Sequence, residues 1–163
     1  MLTKNIKFKN FRLKINKNKI VSDFKLLLKE NNSVLKSLNI NYKNSYNKKT
    51  ISKLKKYYHV RIIGMGGSIL GTESIYDFLK HKIKKNFYFI NNLEPDNNSY
   101  EKKKKYINLV VSKSGNTLET ISNANIFIRK NDKNIFITED KKSYLMSLAE
   151  KLKAEIVHHN NYI

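Results

Sequence analysis

A run of hydroxyl side chains follows an apolar segment in the second half of the chain. The segment, 107–111, is apolar at four of its five positions and rich in β-branched residues, as expected for a strand buried on both faces. Three hydroxyl side chains come directly after it: Ser112, Ser114 and Thr117. Asn116, with Glu119 three residues later, matches the pattern of a helix N-cap, and the free N–H groups and dipole of a helix start attract anions. The pattern indicates either a phosphate-binding loop over 112–117 or an ordinary strand-to-helix turn.

Glycine is confined to two segments of the chain. Gly64, Gly66, Gly67 and Gly71 lie in the first segment, and Gly115 lies in the second. An average usage of about 7% would give roughly twice as many glycines, scattered through turns. Their confinement indicates backbone positions that need a positive φ or a close approach to a ligand. Both segments follow predicted strands, so the two loops can face one pocket.

The first glycine segment fits neither of two nucleotide-binding motifs. Segment 64–69 begins like G-x-G-x-x-G, but Ile69 stands where the third glycine belongs. Segment 66–71 has Walker spacing, but Thr72 and Glu73 replace the Lys-Ser/Thr pair, and the glutamate would repel a nucleotide. We therefore expect neither a dinucleotide nor ATP, and no cofactor. A small phosphorylated molecule remains, with its phosphate in loop 112–117 and its remainder near 66–68.

Strand-like and helix-like segments alternate from residue 57 onward. The predicted strands are 60–63, 87–90, 107–111, 135–138 and, at an edge, 155–158. The predicted helices are 72–80, 118–130, a segment that Ser143 caps with apolar positions up to Leu152, and a further candidate at 99–105. Such alternation predicts an α/β fold: a three-layer αβα arrangement with a mostly parallel, about five-stranded sheet. Ligands of such sheets bind outside the carboxyl ends of the strands.

Residues 1–56 differ from the rest, since they contain neither glycine nor proline. Segment 6–15 alternates apolar and basic residues and predicts an extended arm. Four apolar residues at helical spacing predict a helix: Ile20, Phe24, Leu27 and Leu28. A weaker helix is predicted around Ile51 and Leu54. We expect residues 1–56 to form an N-terminal helical and extended layer packed on one main domain, 57–163.

The formal net charge of +20 raises the possibility of a nucleic-acid ligand. Only three of the 33 basic residues are arginine, and the lysines are spread along the chain rather than clustered. Aromatic and arginine residues interleaved for base stacking are also lacking. We therefore expect no nucleic-acid partner, although charge-driven binding stays open as a third interpretation.

Several other classes of protein are disfavoured by composition. Cysteine is absent, so a disulfide framework and a cysteine-ligated metal are excluded, which fits a reducing cytosol. The four histidines show no metal-ligand spacing. Neither a signal-peptide apolar region nor an 18-residue apolar run occurs. We expect a cytoplasmic protein with no metal and no membrane partner.

The two loops closely resemble a known family. Gly64-Met-Gly-Gly-Ser-Ile-Leu-Gly71 and Val110-Val-Ser-Lys-Ser-Gly-Asn-Thr-Leu-Glu-Thr120 are similar to the signature loops of glucose-6-phosphate isomerase, in its first sugar-isomerase (SIS) domain. The resemblance extends from about Val60 to the end of the chain, and it is loose over 1–56. Met65 stands where the family commonly has isoleucine.

The resemblance implies roles for six residues. Four would hold the sugar phosphate: Ser112, Ser114 and Thr117 through their hydroxyls, and Lys113 through its backbone. Gly67 and Ser68 would line the sugar. The family's catalytic groups, a Gly-Gly-Arg segment followed by a glutamate, a histidine and a lysine, would lie beyond Ile163, so no catalytic residue is assigned. Glu73, Glu119 and His59 are rejected as substitutes, because the acids lie in first helical turns and the histidine precedes a strand.

These implications give two further interpretations besides charge-driven binding. In the first, the chain is the N-terminal part of a glucose-6-phosphate isomerase that binds a hexose 6-phosphate. It would be inactive alone and would need a complementary C-terminal half, or would self-associate through the apolar surface left exposed. In the second, it is a stand-alone SIS-type module that binds a sugar phosphate and regulates a partner.

Overall fold

The fold of this chain, known from a computed structural model, is described for residues 16–93, 104–129 and 131–162. The chain divides into two compact units, Met1–Tyr42 and Lys43–Ile163. The predicted extended arm at 6–15 and most of the candidate helix at 99–105 lie outside the described residues.

The described part of the first unit contains two helices, each begun by an asparagine. Helix α1 spans Lys17–Lys29, and Asn16 caps it by accepting a hydrogen bond from the Lys19 N–H. Helix α2 spans Ser33–Ser37, with Asn32 in the same role for Leu35. The apolar spacing that predicted a helix over residues 20–28 is therefore confirmed.

The second unit is built on a five-stranded parallel sheet. Its strands are β1 (His59–Gly64), β2 (Asn86–Ile90), β3 (Tyr106–Val111), β4 (Lys133–Glu139) and β5 (Glu155–His159). Their spatial order is β2-β1-β3-β4-β5, and every neighbouring pair is parallel. All five predicted strands and the predicted α/β class are confirmed.

In the described part of this unit, four helices cover the two faces of the sheet. They are α3 (Lys48–Lys55), α4 (Leu70–Leu79), α5 (Leu118–Phe127) and α6 (Tyr144–Lys151). Helix α6 begins at the predicted Ser143 cap, whose Oγ accepts a hydrogen bond from the Met146 N–H. Helix α5 is shorter than predicted, because the backbone is already extended at Ile128.

One face of the sheet is closed by α5 and α6. Ala124 and Phe127 of α5 and Leu145 of α6 pack with strand residues such as Ile63 and Phe136, and all are fully buried. Removing this apolar surface from water is the main stabilising contribution on this face.

The other face is covered by α3 and by the segment leading into α4. Leu54 and Ile69 pack there against alternate residues of β1, β3, β4 and β5. Polar contacts fix α3 at both edges of the sheet: Thr50 and Lys53 hydrogen-bond the Glu155 carboxylate of β5, and the Lys85 ammonium, next to β2, donates to the Lys55 carbonyl at 2.8 Å. A lysine at the carbonyl end of a helix also complements its dipole. The observed layers are therefore helix, sheet and helix, as predicted.

Candidate functional site

The two motif loops meet because of the order of the strands. The chain runs from β1 outward to β2, and then returns to the other side of β1 to form β3. The crevice between β1 and β3 is therefore the switch point of the sheet, where ligands of open α/β sheets bind. The close approach is visible in the backbone: a Cβ on Gly64 would lie 3.0 Å from the carbonyl oxygen of Val111.

The first loop turns sharply after β1. Gly66–Ser68 form a single 3-10 turn that leads into α4, and Gly66 has a φ of 55°. A Cβ built on Gly67 would meet no atom within 4 Å, so the backbone here borders open space. Gly67 is exposed and Ser68 is half-buried, which leaves both accessible to a ligand.

The second loop is held by its own hydrogen bonds. The buried Ser112 Oγ lies 3.0 Å from Thr117 Oγ1 and accepts a hydrogen bond from the Gly115 N–H at 3.2 Å. The Ser114 Oγ accepts one from the Asn116 N–H at 3.2 Å. The hydroxyl groups are thus fixed in position before any ligand arrives.

The second loop is also fixed to its neighbours. The carbonyl oxygen of Lys113 accepts the Glu139 N–H at 3.1 Å, and that of Gly115 accepts the Leu145 N–H at 3.1 Å. Gly115 has a φ of 67°, and a Cβ there would overlap the Ser143 side chain. Only glycine fits this position, because the backbone is left-handed and the space is filled.

The predicted role of Asn116 is wrong. Thr117, not Asn116, is the N-cap residue of α5, and no side chain of the described residues caps this helix. Asn116 Oδ1 instead accepts a hydrogen bond from the backbone N–H of Tyr144 at 2.9 Å, so it connects the loop to the start of α6. The first-turn N–H groups of α5 therefore receive no side-chain cap from the described residues.

A cavity of about 480 Å³ opens at this edge of the sheet. Its lining residues are Gly67, Ser68, Val111, Lys113 and His159. Three of the six predicted site residues therefore border one cavity, while Ser112, Ser114 and Thr117 lie in the adjoining loop rather than in its lining. Ser112 is buried, Ser114 is exposed and Thr117 is half-buried.

His159 was missed by the sequence interpretation, which ended the fifth strand at residue 158. Strand β5 continues to His159 and pairs it with Glu139. Alternation from the buried Val157 would have placed His159 on the same face two residues later. That placement alone would not have revealed the cavity, because the cavity is formed by residues from three strand ends.

Charges surround one carboxylate at the edge of the site. Lys141 forms an ion pair with Glu139, and the Lys113 Nζ lies 4.0 Å from Glu139 Oε1. The hydrogen bond from Lys141 lowers the pKa of Glu139, desolvation opposes it, and the charges of Lys141 and Lys113 add to the lowering. Glu139 is therefore ionised at neutral pH.

Among the described residues, no group of three or more histidine, aspartate or glutamate side chains is arranged to bind a metal ion. None of the helices within the described ranges has the length and apolar character required to cross a membrane.

Comparisons with known proteins find relatives named glucose-6-phosphate isomerase. No family model matches the chain. The chain is 38% identical over 112 residues to a glucose-6-phosphate isomerase of Borrelia garinii subsp. bavariensis, a match covering 61% of this chain and 21% of that protein. It is 40% identical over 114 residues to a glucose-6-phosphate isomerase of Methanocaldococcus jannaschii, covering 67% of this chain and 27% of that protein.

Solved structures share the fold at low sequence identity. The hypothetical protein TT0462 from Thermus thermophilus superposes with a TM-score of 0.60 at 18% identity, covering 90% of this chain and 41% of that one. The NanR protein of Vibrio vulnificus, in complex with ManNAc-6P, gives a TM-score of 0.50 at 18% identity, covering 71% and 44%. The chain is thus a partial homologue of the glucose-6-phosphate isomerases: it has an SIS-type α/β fold and spans only about a fifth to a quarter of their length.

Proposed function

We propose that this chain binds a hexose 6-phosphate as the N-terminal part of a glucose-6-phosphate isomerase. The full reaction interconverts glucose 6-phosphate and fructose 6-phosphate in glycolysis and gluconeogenesis. The observation that carries the proposal is the meeting of the two motif loops at the switch point of the sheet, where they border one cavity.

The phosphate group belongs in the second loop. Ser114 is exposed and Thr117 is half-buried, so their hydroxyls can donate to phosphate oxygens. The buried Ser112 hydroxyl holds Thr117 in place by a hydrogen bond. The start of α5 lacks a side-chain cap from the described residues, so its N–H groups and dipole add to the attraction for an anion. The backbone N–H of Lys113 contributes a further donor in this proposal.

The sugar belongs beside the first loop. Gly67 presents bare backbone with open space around it, and Ser68 adds a hydroxyl that can pair with those of a hexose. Val111 gives the cavity an apolar wall against which a sugar ring can pack. A volume of about 480 Å³ falls within the usual range for a small-ligand site.

Isomerisation needs more than binding. Opening the sugar ring and moving a proton between C1 and C2 requires an acid/base pair, a carboxylate base and a cation near the developing oxyanion. The match spans only 21–27% of the relatives' length, and in this proposal those groups come from the remaining part of an isomerase. The chain alone would bind its ligand without turnover.

Binding is tested by calorimetry and by thermal unfolding with glucose 6-phosphate, glucose and inorganic phosphate. We expect glucose 6-phosphate to bind more tightly than glucose or inorganic phosphate, because it contacts both loops. Loss of a charge-assisted hydrogen bond costs about 1.5–3 kcal/mol, so Ser114→Ala with Thr117→Ala should weaken binding at least tenfold.

Asn125→Ala is the matched control, since the side chain of this exposed residue of α5 hydrogen-bonds the Tyr144 hydroxyl rather than a hydroxyl of the second loop. It should leave the affinity unchanged. Equal affinity of the loop variant and the natural chain for glucose 6-phosphate would contradict the proposal.

Turnover is tested separately with the purified chain. We expect no isomerisation above that of the Ser114→Ala, Thr117→Ala variant, and activity after a C-terminal isomerase part is added. Turnover by the isolated chain that the variant lacks would refute the need for a complementary chain.

A second candidate is a regulatory module that binds a sugar phosphate without contributing to an isomerase. It is favoured by the fold shared with NanR, which was solved with ManNAc-6P. Translation of the DNA immediately downstream separates the two candidates. A frame encoding Gly-Gly-Arg and later Glu, His and Lys favours the isomerase, and an unrelated gene favours the regulator.

A further inference from the structure

His159 stands opposite the first loop across the cavity. It is the last residue of β5 and the cavity's lining residue from that edge strand, whereas Gly67 and Ser68 follow β1 and Lys113 follows β3. Its side chain is half-buried. An imidazole in this position can reach a ligand from the side that neither motif loop covers.

Strand register explains why His159 reaches the cavity. Glu139 is paired with His159 across the β4–β5 ladder, and the Glu139 N–H donates to the carbonyl oxygen of Lys113. Lys113, Glu139 and His159 therefore form one row along the carboxyl edge of the sheet. The row continues the apolar face that contains Ile137 and Val157, because side chains two residues apart share a face.

The backbone fixes which imidazole nitrogen is left for a ligand. His159 Nδ1 lies 2.7 Å from the carbonyl oxygen of Asn160. A carbonyl oxygen only accepts hydrogen bonds, so Nδ1 carries the proton, and the neutral ring then presents Nε2 as an acceptor. No hydrogen bond to Nε2 occurs among the contacts of the described residues.

From this geometry we infer that His159 is a further substrate-binding residue, which accepts a hydrogen bond at Nε2 from a hydroxyl of the sugar. The inference rests on the proposed function. A sugar hydroxyl is both donor and acceptor, so it suits a neutral imidazole. A phosphate dianion suits it less, because its oxygens only accept hydrogen bonds and have no proton to donate to Nε2.

The test compares two adjacent histidines with two ligands. His159→Ala removes the inferred contact. His158→Ala is the control, because His158 is exposed and does not line this cavity; its Nδ1 lies 3.8 Å from Asp140 Oδ1. Affinities for glucose 6-phosphate and for inorganic phosphate are measured by calorimetry on each full-length variant.

We expect His159→Ala to weaken binding of glucose 6-phosphate by about three- to tenfold, the value of one neutral hydrogen bond, and to leave phosphate binding unchanged. His158→Ala should change neither affinity. His159→Gln, whose amide reaches a similar position, should recover part of the loss.

Unchanged binding of glucose 6-phosphate by His159→Ala would overturn the inference while leaving the proposed function intact. An equal loss for both ligands would also overturn it, since His159 would then contact the phosphate. If the natural chain binds glucose 6-phosphate no better than phosphate, the proposed function itself fails, and the inference fails with it.

Nuclear magnetic resonance of the natural chain gives a second test, whose result does not depend on whether a substituted chain folds. The nitrogen chemical shifts of His159 should show the Nδ1–H tautomer, and glucose 6-phosphate should shift Nε2 of His159 more than either nitrogen of His158. A His159 spectrum that does not respond to saturating glucose 6-phosphate would overturn the inference.

Discussion

The two strand–loop–helix segments that form the site differ in how firmly they are built. The segment β3–α5 has a loop with internal hydrogen bonds, a left-handed glycine in a filled space, and a helix with four buried residues. The segment β1–α4 has a loop that borders open space and a helix with no buried residue. One half of the site is therefore preformed, and the other half is open.

The firm segment is also anchored at its far end. The buried Arg61 of β1 donates to the carbonyl oxygen of Phe127, where α5 ends, at 2.9 Å, and to Asn108 of β3 at 3.2 Å. A cation at the carbonyl end of a helix complements its dipole. If a phosphate binds at the N-terminus of α5, as proposed above, a helix fixed in this way needs little reorganisation, because the donors are already in place.

The difference fits the two tasks proposed for the loops, which are binding a phosphate and binding a sugar. A phosphate has one shape and needs donors at fixed positions, so a preformed loop suits it. A sugar ring is larger and more variable, and an open wall admits it. Substitutions at matched positions of the two segments test this difference, with the free energy of unfolding measured by urea titration.

The largest difference is expected between two phenylalanines. Phe127 of α5 is 0% exposed, and Phe78 of α4 is 78% exposed. Phe127→Ala should cost about 3–5 kcal/mol, because it removes apolar contacts and leaves a cavity. Phe78→Ala should cost less than about 0.5 kcal/mol. Similar costs for the two would show that α4 is packed as firmly as α5.

Two glycines give the next comparison. Gly115→Ala should cost about 2–4 kcal/mol, because the residue has a φ of 67° and the new methyl group would lie 2.8 Å from Thr138 Oγ1. Gly67→Ala should change stability by less than about 1 kcal/mol, since nothing lies within 4 Å of a Cβ there. A tolerated Gly115→Ala would mean that the second loop is not preformed.

Two serines give a smaller effect. Ser112→Ala should cost about 1–3 kcal/mol, because the buried hydroxyl bonds both Thr117 and the Gly115 N–H. Ser68→Ala should leave stability within about 0.5 kcal/mol of the natural chain and reduce only ligand affinity. A larger stability loss at Ser68 than at Ser112 would reverse the assignment of firm and open loops.

The smallest effect is expected outside both segments, at the ion pair between Lys53 and Glu155 that fixes α3 to the sheet. Desolvation raises the pKa of Glu155, but the hydrogen bonds from Lys53 and Thr50 outweigh it, so the pKa lies below the ordinary value of 4.5. A carboxylate with a lowered pKa adds stability above its unfolded-state pKa, and this is lost as the pH falls through the folded-state pKa. Glu155→Gln should cost about 1 kcal/mol or less at neutral pH.

The pH dependence gives the control for this substitution. The difference between Glu155→Gln and the natural chain should vanish in acid, below the lowered pKa. Glu150→Gln, an exposed change on α6, should show neither the cost nor the pH dependence. A cost that persists in acid would mean that the glutamine itself disrupts packing, independently of charge.

The strands, their α/β alternation and the two loops could be predicted from the sequence. Each depends on local chemistry: β-branched apolar runs form buried strands, and glycine is retained at left-handed positions such as Gly115. Helix ends were less predictable, as Ile128 and Asn116 show, because a cap depends on which backbone group its side chain meets. The roles of the six predicted site residues stay predictions.

Which residues meet around the cavity depends on the tertiary structure. Strand order brings β1 beside β3, and register brings His159 to the edge row with Glu139 and Lys113. The packing also buries four residues of α5 and leaves the apolar side of α4, including Ile75 and Phe78, exposed. Local sequence specifies an element and its apolar side, but which surface that side meets depends on residues far along the chain.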